Sequence, residues 1–166
     1  MSNLESIVMQ NPVVLLIGSI LFIFTFLDKQ NACQPTIINA FTRQLYHGDI
    51  NHLAFNFIAF ANLTHQITQI TGLFTYMIIF ALIFVLMVIL DYIFYGLGLI
   101  ECSIGFSGVV FGLLGWVFLH QRGFNLQLLV DLALLLAPSL TTPGISFTGH
   151  LLGLVAGMLV YPVTRM

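Results

Sequence analysis

Four polar residues lie near the starts of three apolar runs of this sequence. Their side chains are of the kinds that together can catalyse hydrolysis. Ser107 lies in the run Gly-Phe-Ser-Gly, His150 follows a Thr-Gly pair, and His52 and Asn56 lie four residues apart in an earlier run. A serine hydroxyl becomes a nucleophile when a neighbouring base takes its proton, and histidine suits that task because its pKa lies near the operating pH. Ser107 is therefore a candidate nucleophile with His150 as its base; the alternative is a small residue that lets helices pack closely.

The composition predicts that lipid surrounds these residues. Of the 166 residues, 59% are hydrophobic and 6% are charged, and the mean hydropathy is +1.05. A water-soluble domain could not cover its surface with so few charges. The net charge of −2 gives no reason to expect nucleic-acid binding, and two cysteines are too few for a metal cluster. We expect a multi-pass integral membrane protein (in the cell membrane if the source is bacterial), with the lipid bilayer as a partner and no nucleic acid, metal or cofactor.

Six apolar stretches predict an all-α bundle of six membrane-spanning helices. They cover residues 13–27, 50–70, 73–95, 106–120, 124–137 and 148–163, with a polar connection after the first and Pro138 ending the fifth. Residues 13–163 would form one six-span domain, residues 1–12 a short polar N-terminal tail, and residues 164–166 a C-terminal tail. The basic residues leave the orientation open, because Arg122 and Arg165 would lie on one side and Lys29 and Arg43 on the other.

Span direction and spacing bring the four polar residues to one depth. The second, fourth and sixth spans run the same way, and Ser107 and His150 each lie about 13 residues, roughly 20 Å, before the end of their spans. His52 and Asn56 share a helix face. Glycines recur beside the serine and the last histidine, at Gly108, Gly112 and Gly115 in one span and Gly149, Gly153 and Gly157 in the other. Small residues at this spacing allow close approach in lipid, so we expect these two spans to touch.

Three segments of the chain resemble the rhomboid family of intramembrane serine proteases. They are His-Gly-Asp-Ile-Asn-His-Leu-Ala-Phe-Asn at 47–56, Gly-Phe-Ser-Gly at 105–108 and Gly-His-Leu-Leu-Gly-Leu-Val-Ala-Gly at 149–157. They occur in the family's order on the expected spans, and the layout covers nearly the whole chain. The resemblance implies a rhomboid-like bundle that acts as a serine endopeptidase on single-span membrane proteins, which would be its partners.

The resemblance also implies a role for each of the four polar residues. Ser107 corresponds to the family's nucleophile and His150 to its general base, while His52 and Asn56 correspond to oxyanion-hole residues. The residue chemistry agrees, because an oxyanion in a low-dielectric site needs donors aimed at it, and the backbone N–H of Ser107 could be a further one. No carboxylate is required if packing orients the imidazole, so the unit would be a dyad.

Supporting residues complete the resemblance, with two departures. His47, the first histidine of its segment, is usually structural in the family, and Gly105 and Gly108 flank the nucleophile. Many bacterial members have a tyrosine that stacks on the base where this chain has Phe111, and a phenyl ring can stack similarly. Many members also have a Trp-Arg pair before the first histidine, where residues 38–39 are Ile and Asn. That departure concerns the first loop, not the dyad.

Other membrane-protein classes fit the sequence less well. An aspartyl protease would pair Asp91 with Asp131, but its usual sequence contexts are absent. No histidine is followed by glutamate, as a His-Glu-x-x-His metalloprotease requires. A transporter would show paired interrupted helices, and none is evident. The serious alternative is a catalytically inactive rhomboid-like chaperone or binding module, although such relatives usually lack the serine or the histidine.

Two acidic residues and two cysteines have no role in the chemistry expected of Ser107 and His150. Asp91 lies near the end of its span and is expected to snorkel to the membrane interface. Asp131 is mid-span, where an acid is rarely idle, and pairing with a polar neighbour is its simplest explanation. Cys33 and Cys102 would lie on one side of the membrane, where a disulfide is open to them, but the sequence favours unpaired cysteines.

Overall fold

The computed structural model describes residues 11–122, 125–141 and 146–165, and within them it contains seven α-helices and no strand. The helices are α1 (Pro12–Thr25), α2 (Ile37–Arg43), α3 (Ile50–Thr71), α4 (Leu73–Gly96), α5 (Ser107–Gln121), α6 (Leu126–Thr141) and α7 (Phe147–Thr164). The all-helical prediction is confirmed for these residues. Residues 1–10 of the predicted N-terminal tail, residue 124 at the predicted start of the fifth span, and residue 166 lie outside the described ranges.

The helix boundaries agree with most of the predicted limits. They differ from the prediction at the end of the fifth span and in the first connection. α1, α3, α4, α5 and α7 begin and end within two residues of the expected positions. The prediction that Pro138 ends the fifth span is wrong, because α6 continues to Thr141; a proline so near a helix end removes few backbone hydrogen bonds. α2 lies in the stretch expected to be a polar connection, and its start is capped by the Thr36 hydroxyl, which accepts a hydrogen bond from the Asn39 N–H (3.1 Å).

Short polar residues begin the two helices that carry the candidate histidines. Asp49 Oδ1 accepts a hydrogen bond from the backbone N–H of His52 (2.8 Å) at the start of α3. Ser146 Oγ accepts one from the Gly149 N–H (3.1 Å) at the start of α7. Such side chains satisfy N–H groups that have no partner within the helix. The caps therefore fix His52 and His150 in the first turns of their helices.

Among the described residues, two helices are long and apolar enough to cross a membrane by length and composition alone. They are α4, whose most apolar 18-residue window has a mean hydropathy of 3.0, and α7, with 1.4. α1, α5 and the Leu126–Leu136 part of α6 are apolar but shorter. α3 has 22 residues, but its second half carries amide, hydroxyl and imidazole side chains. These helices indicate a membrane protein.

α5 lies at the centre of the bundle and packs against α7 backbone to backbone. Every residue of α5 from Ser107 to Val117 is buried. A side-chain carbon added at Gly153 would overlap the carbonyl group of Gly108, and one added at Gly157 would overlap that of Gly112. Both contacts advance in the same direction, so α5 and α7 are parallel. The predicted contact between the glycine-bearing spans is confirmed.

α6 is attached to the bundle through a buried carboxylate. In the described part of the chain it packs against α3 and α5 only. Asp131 is fully buried, and its carboxylate oxygens accept hydrogen bonds from the side-chain amides of Asn62 (3.1 Å), Gln66 (3.0 Å) and Gln127 (3.2 Å). The expected pairing of Asp131 with polar neighbours is confirmed, and two of those neighbours belong to α3.

A buried ion pair joins α2 to α4. Arg43 donates hydrogen bonds from Nε (3.0 Å) and Nη2 to Asp91 Oδ2, and from Nη1 to the Ala32 carbonyl (3.1 Å). Its guanidinium carbon lies 4.5 Å from the centre of the Tyr95 ring. Arg43 is 1% exposed and Asp91 6%. The prediction that Asp91 snorkels to the interface is wrong, because a carboxylate inside the bundle is held by a cation instead.

A disulfide joins the segment before α2 to the segment before α5. Cys33 and Cys102 are bonded, with their Cα atoms 5.6 Å apart, so the expectation of unpaired cysteines is wrong. The Tyr95 hydroxyl donates a hydrogen bond to the Cys33 carbonyl. The two cysteines are 69 residues apart in sequence, and their approach depends on the packing of α2 against α4.

Candidate active site

Ser107 and His150 are in contact at the start of α5 and α7. Ser107 Oγ lies 3.0 Å from His150 Nε2, which is hydrogen-bond distance. The two residues are 8% and 4% exposed. Because α5 and α7 are parallel and packed through glycines, the first turns of both helices meet at one level. The predicted approach of hydroxyl and imidazole is confirmed, and their catalytic roles stay a prediction.

The Phe111 ring orients His150 from the neighbouring helix. The two rings are stacked, with centroids 4.3 Å apart and planes 18° apart. Phe111 lies one turn after Ser107 on α5 and is 5% exposed. The expected stacking is confirmed. In the described part of the chain no carboxylate bonds to His150, and the stacked Phe111 ring is what holds the imidazole plane.

His52 packs directly against the turn that carries Ser107. Gly105 in that turn has φ of +141°, a backbone conformation that residues with side chains rarely adopt. A side-chain carbon added there would lie 2.8 Å from His52 Cε1, 3.0 Å from its Nε2 and 3.7 Å from Ser107 Oγ. Gly105 is therefore required twice, for its conformation and for the space that the imidazole occupies.

Asn56 lies one helical turn beyond His52 and is 1% exposed. Its amide nitrogen donates a hydrogen bond to the His52 carbonyl oxygen (3.0 Å), and its amide oxygen bonds to no described residue. The structure brings His52 beside Ser107, and Asn56 follows in the next turn without a hydrogen bond to Ser107. The backbone N–H of Ser107 has no acceptor within α5, because Ser107 is the first residue of that helix.

His47 is fully buried behind His52. The two rings meet edge to face with centroids 5.2 Å apart. Burial, and then the neighbouring His52, lowers the pKa of His47 to about 3, so its imidazole is neutral at pH 7. A neutral ring packed against His52 agrees with the structural role that the resemblance implies.

The turn before Ser107 is anchored to α2. The Gly105 N–H donates a hydrogen bond to the Arg43 carbonyl (3.0 Å), while the Arg43 side chain is held by Asp91. Cys102, in the segment leading to this turn, is held by Cys33. These anchors could not be found from the sequence, because each joins residues that are distant along the chain and have no motif in common.

A small cavity lies beside the candidate dyad. Its lining includes Gln44, Met87, Ser103, Ser107, Ser146 and His150. Gln44 is 5% exposed, and its side-chain oxygen lies 3.7 Å from the position of a side-chain carbon on Gly108. Such a carbon would also lie 2.6 Å from Met87 Cε. A buried amide near Ser107 was not predicted, because nothing in the sequence distinguishes Gln44 from the other polar residues of its connection.

The alternative site chemistries find little support in the geometry. Asp91 and Asp131 have separate partners on different helices, Arg43 for one and three side-chain amides for the other. They do not share a proton as an aspartyl dyad would. Among the described residues no group of three or more His, Cys, Asp or Glu side chains could hold a metal ion.

Fold and site together define an α-helical membrane protein with a buried serine–histidine pair at one end of its helices. The Rhomboid domain family matches residues 34–166. A protein of Acanthamoeba polyphaga mimivirus, named a putative rhomboid protein, is 35% identical over 154 residues, which cover 91% of this chain and 87% of the viral protein. No solved structure matches the chain. The chain belongs to the rhomboid family.

Proposed function

We propose that this protein is an intramembrane serine endopeptidase that hydrolyses peptide bonds of single-span membrane proteins. The observation that carries the proposal is the 3.0 Å contact between Ser107 Oγ and His150 Nε2, with the imidazole stacked on Phe111. A serine kept only for helix packing has no need of an imidazole at hydrogen-bond distance. Membership of a family that acts on membrane proteins supports the substrate class.

The proposed reaction uses Ser107 and His150 as one unit. As Ser107 Oγ attacks the carbonyl carbon of the scissile bond, its proton passes to His150 Nε2, which then protonates the leaving amine. An ester to Ser107 remains, and a water molecule deprotonated by the same imidazole hydrolyses it. The oxyanion would be stabilised by the Ser107 N–H, the His52 ring and the Asn56 amide. A substrate helix must unwind locally, because its carbonyls are otherwise hydrogen-bonded.

The proposal places this chemistry in a six-span domain formed by residues 13–163. α1, α3, α4, α5, α6 and α7 would be the spans, and α2 would lie in the first connection. Support comes from the parallel packing of α5 and α7. Because these two helices run in the same direction, α6, which lies between them in the sequence, must run in the opposite direction. In a hydrocarbon core of about 30 Å, Ser107 and His150 would lie roughly 10 Å below one surface.

Covalent labelling tests the proposal. A fluorophosphonate should form one adduct on the purified protein in detergent, located at Ser107 by intact and peptide mass spectrometry. Ser107→Ala should lose the adduct and all cleavage of a transmembrane substrate. His150→Ala should lose both by several orders of magnitude while melting at nearly the wild-type temperature, because hydroxyl and base act together.

Ser103→Ala is the matched control, because Ser103 lines the same cavity as Ser107. It should keep both the label and the cleavage activity. A folded wild-type protein that takes no label and cleaves no substrate would exclude the peptidase and leave the inactive rhomboid-like binding module. A label on Ser103 would exclude Ser107 as the nucleophile.

A further inference from the structure

A second polar cavity lies at the end of the bundle away from the candidate dyad. Its lining includes Thr71, Thr75, Trp116, His120, Thr164 and Arg165. These residues come from the ends of α3, α5 and α7 and from the start of α4. On α5, His120 lies about 13 residues from Ser107, which is roughly 20 Å. The cavity is therefore separate from the candidate active site.

Aromatic packing builds a fixed wall for this cavity. The Trp116 ring and the His120 ring are stacked, with centroids 5.2 Å apart and planes 7° apart. Trp116 Nε1 donates a hydrogen bond to Thr164 Oγ1 (2.8 Å), and that hydroxyl donates to the Val160 carbonyl (2.9 Å). His120 is exposed and lines the cavity.

The charge of the cavity is positive. Arg165 is exposed on its lining, and no acidic side chain lines the cavity among the residues that the structure describes. Arg122, at the end of α5, adds a second positive charge at this end of the bundle. Asp28, Asp49 and Glu101 lie instead in the connections at the Ser107 end. The guanidinium of Arg165, the imidazole of His120 and the hydroxyl of Thr75 line the cavity and are groups that suit a phosphate.

We propose that this cavity binds a phosphate group, presented by the headgroup of an anionic phospholipid. The lining residues lie near helix termini, which is the level of lipid headgroups in a membrane-spanning bundle. Trp116 packs edge to face on Tyr161 at this end. Exposed apolar side chains beside the cavity, at Ile70 and Val163, suit the lipid chains. The inference uses the proposed span arrangement but does not require proteolysis.

Native mass spectrometry of the detergent-purified protein tests this site. The protein is titrated separately with phosphatidylglycerol, phosphatidylcholine and inorganic phosphate. Phosphatidylglycerol should bind at least tenfold more tightly than the other two. Arg165→Gln should weaken that binding about tenfold, because a charge-assisted hydrogen bond is lost, and His120→Gln should weaken it less. Arg165→Lys should restore part of the loss.

Arg122→Gln is the matched control, because it removes the same charge at the same end without lining the cavity. It should leave the affinity for phosphatidylglycerol within twofold of wild type. An equal loss in Arg122→Gln and Arg165→Gln would overturn the site in favour of general surface charge. Equal affinity for phosphatidylcholine would overturn the anionic preference, and equal affinity for inorganic phosphate would overturn the lipid as the source of the phosphate. Melting curves of each variant check that the fold is retained.

Discussion

α7 and α6 are held in the bundle in opposite ways. α7 lies on α5 through glycines, so close that the backbone of one helix leaves no room for a side chain on the other. α6 lies on α3 and α5 through longer side chains, with a buried carboxylate and three amides at its contact with α3. Close backbone packing has one geometry, whereas flexible side chains tolerate several. The candidate dyad joins the two helices whose relative position is most narrowly defined.

The largest expected effect is on the backbone contact of α5 and α7. Gly157→Ala places a carbon against the Gly112 carbonyl, and no flexible side chain can move aside. The free energy of unfolding should fall by about 5 kcal/mol, at the upper end for single substitutions, with loss of activity. Thermal melting in detergent measures it.

Gly96→Ala is the matched control for that change, because no atom lies within 4 Å of the added carbon. It should leave the melting temperature unchanged or slightly raised, since alanine restricts the unfolded chain more than glycine does. Equal melting of Gly157→Ala and Gly96→Ala would show that α5 and α7 are not in backbone contact.

The next effect tests whether the start of α5 depends on anchors outside the α5–α7 contact. Arg43→Met leaves the Asp91 carboxylate buried without its cation, and should destabilise the protein by about 3 kcal/mol. Adding Asp91→Leu should recover part of that loss, because the unpaired charge is then gone. Chemical unfolding of the single and double variants measures the coupling. Additive losses would mean that Arg43 acts mainly through its bond to the Ala32 carbonyl.

Local pattern accounts for the parts of the site that the sequence predicted. Gly108, Gly112, Gly153 and Gly157 follow helical spacing, and that spacing together with span direction brings Ser107 level with His150. Phe111 lies one turn beyond the serine, so its stacking also follows from helical geometry. Each of these expectations depends on residues within one helix or on two helices in parallel contact.

The missed features depend on contacts between distant parts of the chain. Arg43 and Asp91 are 48 residues apart, and Cys33 and Cys102 are 69 apart. Neither pair has a spacing that predicts it, because the packing of α2 on α4 brings the partners together. α2 was missed for a different reason, since seven residues are too few for a clear apolar periodicity.

A smaller effect is expected at the polar contact of α6. Asp131→Ala removes the acceptor shared by the side-chain amides of Asn62, Gln66 and Gln127, and should cost about 2 kcal/mol. Hydrogen exchange should speed up in α6 while α5 and α7 keep their protection, because the bonds of Asp131 to Asn62 and Gln66 tie α6 to α3. Asp131→Asn keeps one accepting oxygen and should cost less. Exchange that rises equally in all three helices would contradict the separate attachment of α6.

The smallest expected effect concerns the Phe111 ring, which extends from α5 and packs against His150 on α7. Phe111→Leu keeps an apolar side chain on α5 but removes the aromatic face stacked on His150. An aromatic stack is worth about 1 kcal/mol, which corresponds to a loss of roughly fivefold in kcat if the stack holds the imidazole for proton transfer. Phe111→Tyr keeps the face and should retain most of the activity. The measurement is cleavage of a transmembrane substrate by variants that melt alike. If Phe111→Leu cleaves as fast as wild type, the Phe111 ring does not position His150, and the glycine-packed backbone of α5 and α7 is sufficient to orient that imidazole.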